Sequence, residues 1–149
     1  MNASDVDYQP PTSRVLPNPA MDTASFWAGG GDDQLMIHFC GACGKFFHPP
    51  APVCFRCRSI DVGPKPVSGL ATVATFSIVR HAWYESFPPP YVVAIVELAD
   101  QADVRLTTNI VGCQPESVFI GQQVSVFFER CEDVWIPLFT PVAVGTVTS

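Results

Sequence analysis

The alternation of apolar and polar positions changes character along the chain and divides it into segments. Residues 1–20 carry Pro10, Pro11, Pro17 and Pro19 with little apolar periodicity, which reads as a flexible N-terminal arm. Residues 21–33 hold one short helix, Asp22–Ala28. Asp22 is its N-cap, Phe26 and Trp27 its apolar face, and Gly29-Gly30-Gly31 its end. Residues 34–66 form a small ribbon. Gln34–Phe39 reads as one strand and Lys45–His48 as its return, with Pro49, Pro50 and Pro52 in the turn beyond. Gly63, Pro64 and Pro66 read as a linker to the second half of the chain.

From residue 67 to 141 the period is that of strands. Leu70–Trp83 is long and apolar on both faces in its first part, as in a strongly curved barrel strand. A proline-rich loop (Pro88, Pro89, Pro90) precedes a second strand, Tyr91–Leu98. A third, Val104–Val111, comes after an acidic turn at Ala99–Asp103. Pro115–Val118 reads as one helical turn starting at Gln114 or Cys113. Gln123–Glu129 and Val134–Phe139 are the fourth and fifth strands, joined by a tight turn at Cys131–Asp133. Residues 142–149 are a C-terminal tail. Five short strands with a helical turn between the third and fourth outline an OB-fold barrel. The expected fold class is therefore mainly β: an N-terminal short helix, a ribbon and a C-terminal five-stranded OB-fold.

The ribbon is too small to fold on its own core, and its cysteines supply a reason for it to fold. Cys40-Gly-Ala-Cys43 and Cys54-Phe-Arg-Cys57 are two C-x-x-C pairs separated by ten residues. Each pair places two sulfurs on one tight knuckle, and the hairpin between them brings the knuckles together, as a tetrahedral structural zinc site requires. All four positions are filled by protein, so no coordination position is left for catalysis. Disulfides are a rival reading. The polar, proline-rich start has no export segment, so a cytoplasmic location with reduced thiols is expected. Iron in a rubredoxin-like electron carrier is another rival, but such carriers read C-P-x-C-G at the second knuckle, and here it is Cys54-Phe55-Arg56-Cys57-Arg58. Cys113 and Cys131 lie beside apolar runs and read as small core residues.

Composition narrows the function. Of 149 residues, 48% are hydrophobic and only 15% charged, which points to surface buried against a partner. No uninterrupted apolar run reaches the roughly 18 residues of a membrane span, because Pro137 and Pro141 break the one uncharged stretch. Residues 69–149 hold three basic and eight acidic side chains. A single-stranded nucleic-acid binder, the obvious alternative for an OB-fold, needs a positive track beside its stacking aromatics, and this charge argues against it. A catalytic inventory is also thin. His38, His48 and His81 are dispersed, His81 and Glu85 lack a third orienting group, and no nucleophile elbow or phosphate loop is present. His48 beside the ribbon is superfluous as a ligand once four thiolates are counted. Two stretches stand out for binding. The loop containing Trp83, Tyr84 and Phe87, with Tyr91 beyond it, sets aromatics among rigid prolines, either as interface anchors or, for Trp83 and Phe87, as a cap on one end of the barrel core. Lys45, Arg56 and Arg58, with Lys65, make a small basic cluster around the knuckles, a solvated face or a seat for phosphates.

Phe26-Trp27, Leu35, Cys40-x-x-Cys43-Gly44, Phe47-x-Pro49-Pro50 and Cys54-x-x-Cys57 are succeeded in order by further landmarks. These are Gly69 with Phe76 and Val79, Pro90–Leu98, Leu106 with Asn109-Ile110-Val111, Ile120-Gly121 and Ile136-Pro137-x-Phe139. This order resembles the acyl-CoA-associated zinc-ribbon plus OB-fold family, catalogued as domain-of-unknown-function family 35, from about Asn18 to Pro141. Arg58 departs from the glycine common after the last cysteine. The resemblance implies a rubredoxin-like zinc ribbon and a non-catalytic accessory subunit. Its partner would be a thiolase-fold enzyme, a thiolase or a lipid-transfer-protein-like aldolase that shortens steroid side chains. It also implies a heterotetramer and a shared acyl-CoA channel, with carbon–carbon bond chemistry in the partner.

Overall fold

The computed structural model describes residues 7–142; the first part of the expected arm and nearly all of the expected tail, residues 1–6 and 143–149, lie outside them. The ribbon is a three-stranded antiparallel sheet. Its central strand β1 (Leu35–Cys40) has β2 (Phe46–Phe47) on one side and β3 (Val62–Val67) on the other. β1 buries Leu35, Ile37, His38 and Cys40. The linker expected at Gly63, Pro64 and Pro66 is in fact β3, in unbroken register with β1 from Leu35 opposite Val67 to Cys40 opposite Val62. Its two prolines sit at alternate positions of an edge strand, where the missing N–H groups point away from β1. The same prolines leave that edge short of donors for any further strand.

Five strands close the barrel: β4 (Leu70–Val79), β5 (Tyr91–Leu98), β6 (Arg105–Ile110), β7 (Gln123–Cys131) and β8 (Val134–Pro141), in spatial order β4-β5-β6-β8-β7. β5 alternates strictly, burying Val92, Ala94, Val96 and Leu98 while the residues between them are half-buried. With Val73, Val104, Leu106, Val124 and Phe139 they fill the interior. The two-faced apolar character of β4 has a geometric cause. Its register with β5 slips between Val73 and Thr75, so a bulge bends the strand and changes the phase of its side chains. β4 stops at Val79 rather than Trp83, and the segment beyond it makes only an isolated bridge between Tyr84 and Phe87.

The helix α1 (Ala24–Ala28) is shorter than expected, and Thr23 rather than Asp22 precedes it. The Thr23 hydroxyl accepts from the Ala20 N–H at 2.9 Å and closes the preceding turn. The glycines end the α-helix at Ala28, with Gly29 as its C-cap, but the turn does not stop there. They continue it as a 3-10 turn, Gly29–Asp32, which stops at Asp33 in the left-handed conformation (φ 57°). Gly30 is needed for closeness: a Cβ there would collide with Trp135 of β8 and with Phe128. The turn is thereby laid flat on the barrel wall, and Phe26 enters the core.

Residues 7–20 have no regular structure, as their prolines dictate, but the described part of the expected flexible arm is tied to the barrel. The Tyr8 hydroxyl donates to Glu129 at 2.6 Å and the Arg14 Nε to the same carboxylate at 2.7 Å. The physical reason is long-range: a carboxylate on β7 receives two donors that proline content alone gives no hint of.

Candidate metal centre and partner surface

Both cysteine knuckles have one backbone geometry. The Gly44 N–H donates to the Cys40 carbonyl at 2.9 Å and the Cys40 N–H to Lys45. Likewise the Arg58 N–H donates to the Cys54 carbonyl at 2.8 Å and the Cys54 N–H to Ser59. The residue after each pair is left-handed, Gly44 at φ 72° and Arg58 at φ 63°. The departure from glycine at Arg58 is therefore a backbone in a conformation that costs an ordinary L-residue.

The knuckles face each other. The Cys40 and Cys57 sulfurs are 3.5 Å apart, those of Cys43 and Cys54 3.8 Å, and all four lie within 4.8 Å of one another. A tetrahedron of thiolates about 2.3 Å from a zinc ion has edges of about 3.8 Å, so the donor set fits that ion. All six cysteines are free thiols, and these separations are far beyond a disulfide's bond of about 2.05 Å. Backbone N–H groups favour the thiolate form of the two buried cysteines, Cys40 and Cys54. Cys54 is held down to about 6 by the N–H groups of Cys57 and Arg56, against the opposing effect of burial. Cys40 is lowered in the same way by those of Cys43 and Ala42. Cys40, Cys54 and Phe47 form a small core of their own, with Ala51 and Val62 packed against it. His48 lies against Phe26 at 5.1 Å, and burial lowers its pKa.

The basic cluster does not hold together as a set of free cations. Arg56 forms an ion pair with Asp103 in the β5–β6 turn, donates to the Phe46 carbonyl at 3.0 Å and lies over the Phe55 ring. Gln101 completes this joint: its carbonyl accepts from the Phe46 N–H at 2.9 Å, and its amide donates to the Phe46 carbonyl at 2.8 Å. Arg56 therefore fastens the ribbon to the barrel. Lys65 rests on the Phe39 ring at 4.3 Å, whereas Lys45 and Arg58 are exposed. Gln101 and Asp103 escape sequence reading because their partners lie 55 and 47 residues away.

The aromatic loop is divided. Trp83 and Tyr84 are 68% and 64% exposed. Phe87 and Tyr91 are half-buried, with ring centroids 4.3 Å apart. His81 meets the edge of Trp83 at 4.5 Å, and among the described residues it forms no hydrogen bond with Glu85. The Cys131 thiol donates to Glu129 at 3.1 Å and is pushed up to about 11 by burial and that carboxylate, which disfavours its thiolate form. No helix among the described residues is long and apolar enough to cross a membrane.

Comparison with known proteins agrees with this architecture. Residues 27–62 match the family model of the ChsH2 rubredoxin-like zinc ribbon domain, and residues 64–129 that of the ChsH2 C-terminal OB-fold domain. A solved structure titled "Ltp2-ChsH2(DUF35) aldolase" contains a chain 32% identical, with a TM-score of 0.78, covering 86% of this chain and 100% of that one. A DUF35 domain-containing scaffold protein of Methanocaldococcus jannaschii is 38% identical over 63% of this chain and 67% of its own length. A probable enoyl-CoA hydratase alpha subunit of Thermomonospora curvata is 34% identical over 85% of this chain, but the chain spans only 40% of that protein's length. The 3-oxo-4,17-pregnadiene-20-carboxyl-CoA hydratase alpha subunit of Mycobacterium tuberculosis is likewise 34% identical, with 36% of its length spanned. With both halves of its fold matched, the chain belongs to the DUF35 family of ChsH2-type zinc-ribbon and OB-fold proteins.

Proposed function

We propose that this chain is a non-catalytic accessory subunit that docks on a thiolase-fold acyl-CoA enzyme, most sharply a retro-aldolase of steroid side-chain degradation. The observation that carries this reading is the likeness, at 32% identity and over its whole length, to a chain in the Ltp2-ChsH2(DUF35) aldolase structure. Cys40, Cys43, Cys54 and Cys57 hold one structural Zn2+, which when bound ties the two knuckles together and offers no open position for chemistry. A solution of the loaded protein is then colourless, whereas ferric thiolate is red. The hydratase names among the relatives belong to proteins more than twice as long as the matched segment, and the thin inventory of paired acid–base groups here supports leaving that activity out.

The docking surface in this reading is the exposed face of Trp83 and Tyr84, with Phe87 and Tyr91 behind them as a rigid aromatic base. The acyl-CoA runs in a channel shared with the partner. Lys45 and Arg58 are the cations left free for its phosphates, because Arg56 is engaged with Asp103. The carbon–carbon bond chemistry belongs to the partner. The test is a tagged pull-down from the native cell extract with mass spectrometry. A thiolase-fold protein recovered at near-stoichiometric amounts, and lost with Trp83→Ala/Tyr84→Ala, is the expected result. Recovery of nucleic acid, or of nothing that survives washing, overturns the reading.

A further inference from the structure

The N-terminal segment bridges two parts of the barrel that strand pairing leaves apart. β7 meets β4 only at Leu70–Thr72, at the end of β4 opposite to the loop of residues 81–90. Among the described residues, that loop sends hydrogen bonds to one other segment alone: its Ser86 carbonyl accepts from the Thr12 N–H at 3.1 Å and from the Thr12 hydroxyl at 3.4 Å. Two residues further on, the Arg14 guanidinium lies over the Phe87 ring at 5.0 Å while its Nε donates to Glu129 on β7 at 2.7 Å. Tyr8 closes the triangle. Its hydroxyl accepts from Arg14 at 2.9 Å and donates to Glu129 at 2.6 Å, and its ring stands edge-on to Phe127 at 5.7 Å.

The charged pair is withdrawn from water, with side-chain exposures of 12% for Arg14 and 10% for Glu129. Burying such a pair is a poor way to gain stability, because desolvation offsets most of the attraction; what it supplies is one specific register. Beneath the segment lies a cavity of about 460 Å³, walled by Tyr8, Pro10 and Pro11 on the strap side and by Phe87, Tyr91 and Ile110 on the barrel side.

We infer that residues 8–14 are a strap whose Tyr8–Arg14–Glu129 latch fixes the position of the 81–90 loop and forms one wall of the open pocket between them. Among the described residues the loop has no other external hydrogen bond, so its aromatic face takes its place from the strap. The strap acts in the chain alone, so its test is independent of which enzyme the subunit serves.

Hydrogen exchange followed by mass spectrometry on the zinc-loaded full chain decides this. Thr12→Pro removes the donor to Ser86 and leaves the barrel untouched. Arg14→Gln/Glu129→Gln removes both charges of the latch, so neither is left buried without a partner. The expected result is about tenfold faster exchange at residues 83–87 in both variants, and at Thr12 in the double variant, with β1 and β5 unchanged, since local opening is read segment by segment. Three results overturn the inference: faster exchange in the strap while the loop keeps its protection; no change in either; or loss of protection spread through β5, which would make the contacts a general support of the core.

Discussion

The ribbon and the barrel are both small β structures, and they are held by different forces. The barrel closes around a continuous interior of Val73, Val92, Val96, Val104, Leu106, Val124 and Phe139, which are all nearly or completely buried. The ribbon sheet has two prolines in one edge strand, a two-residue strand at the other edge, and a core of its own around Cys40, Cys54 and Phe47. Burial of apolar surface suffices for the first. The second needs its four sulfurs gathered, and a structural zinc in comparable small fingers contributes about 10–16 kcal/mol of apparent binding free energy to the folded state. The joint between them is apolar where Leu35 and Ile37 of β1 share one buried cluster with the barrel residues, and polar where Arg56, Asp103, Gln101 and the Phe46 backbone meet.

Removing the metal is the severest challenge to this contrast. Chelation of zinc, or Cys54→Ser, is expected to abolish the ribbon's ordered amide signals in a heteronuclear NMR spectrum while those of β5 and β6 persist. Collapse of both together would show that the barrel too depends on the metal. The converse cut is Phe139→Ala. The side chain is completely buried, and its loss is expected to cost about 3–5 kcal/mol in denaturant unfolding of the barrel. Bound zinc per chain should stay at one in the folded protein.

A smaller effect separates the two regions without unfolding either. Gln101→Ala removes both of its hydrogen bonds to Phe46, with an expected cost of about 1–2 kcal/mol. Faster zinc transfer to a chelating dye, with the barrel's thermal midpoint nearly unchanged, would show that the joint serves the ribbon. The smallest change concerns the symmetry of the knuckles. Arg58→Gly relieves a left-handed residue and is expected to stabilise the loaded ribbon by up to about 1 kcal/mol, measured as slower zinc release. Gly44→Ala, at the equivalent turn, should act in the opposite direction.

Much of this division is legible in the residues themselves. Period-two alternation marks β5, and the two-faced run in β4 announces a bend, because both arise from side-chain direction along a strand. Two C-x-x-C pairs mark the knuckles because the spacing is local. What stays hidden depends on partners distant in the chain. Pro64 and Pro66 read as a linker because proline breaks a central strand, and only the pairing with β1 reveals that they occupy an edge. The glycines at 29–31 read as a stop, and only Trp135 shows that they are also a seat. Arg56 reads as one cation of a cluster until Asp103 is seen to neutralise it.

The order of the barrel strands and the thiolate set are written in the residues alone, because each rests on spacing within a short stretch of chain. How the N-terminal segment lies, which cations remain free and how ribbon meets barrel were settled by tertiary contact. Those depend on contacts between groups far apart in the chain, among them polar pairs more than 45 residues apart such as Arg56 with Asp103 and Arg14 with Glu129. Hydrogen bonds and ion pairs of this kind act only at contact distance, so no local pattern of residues encodes them.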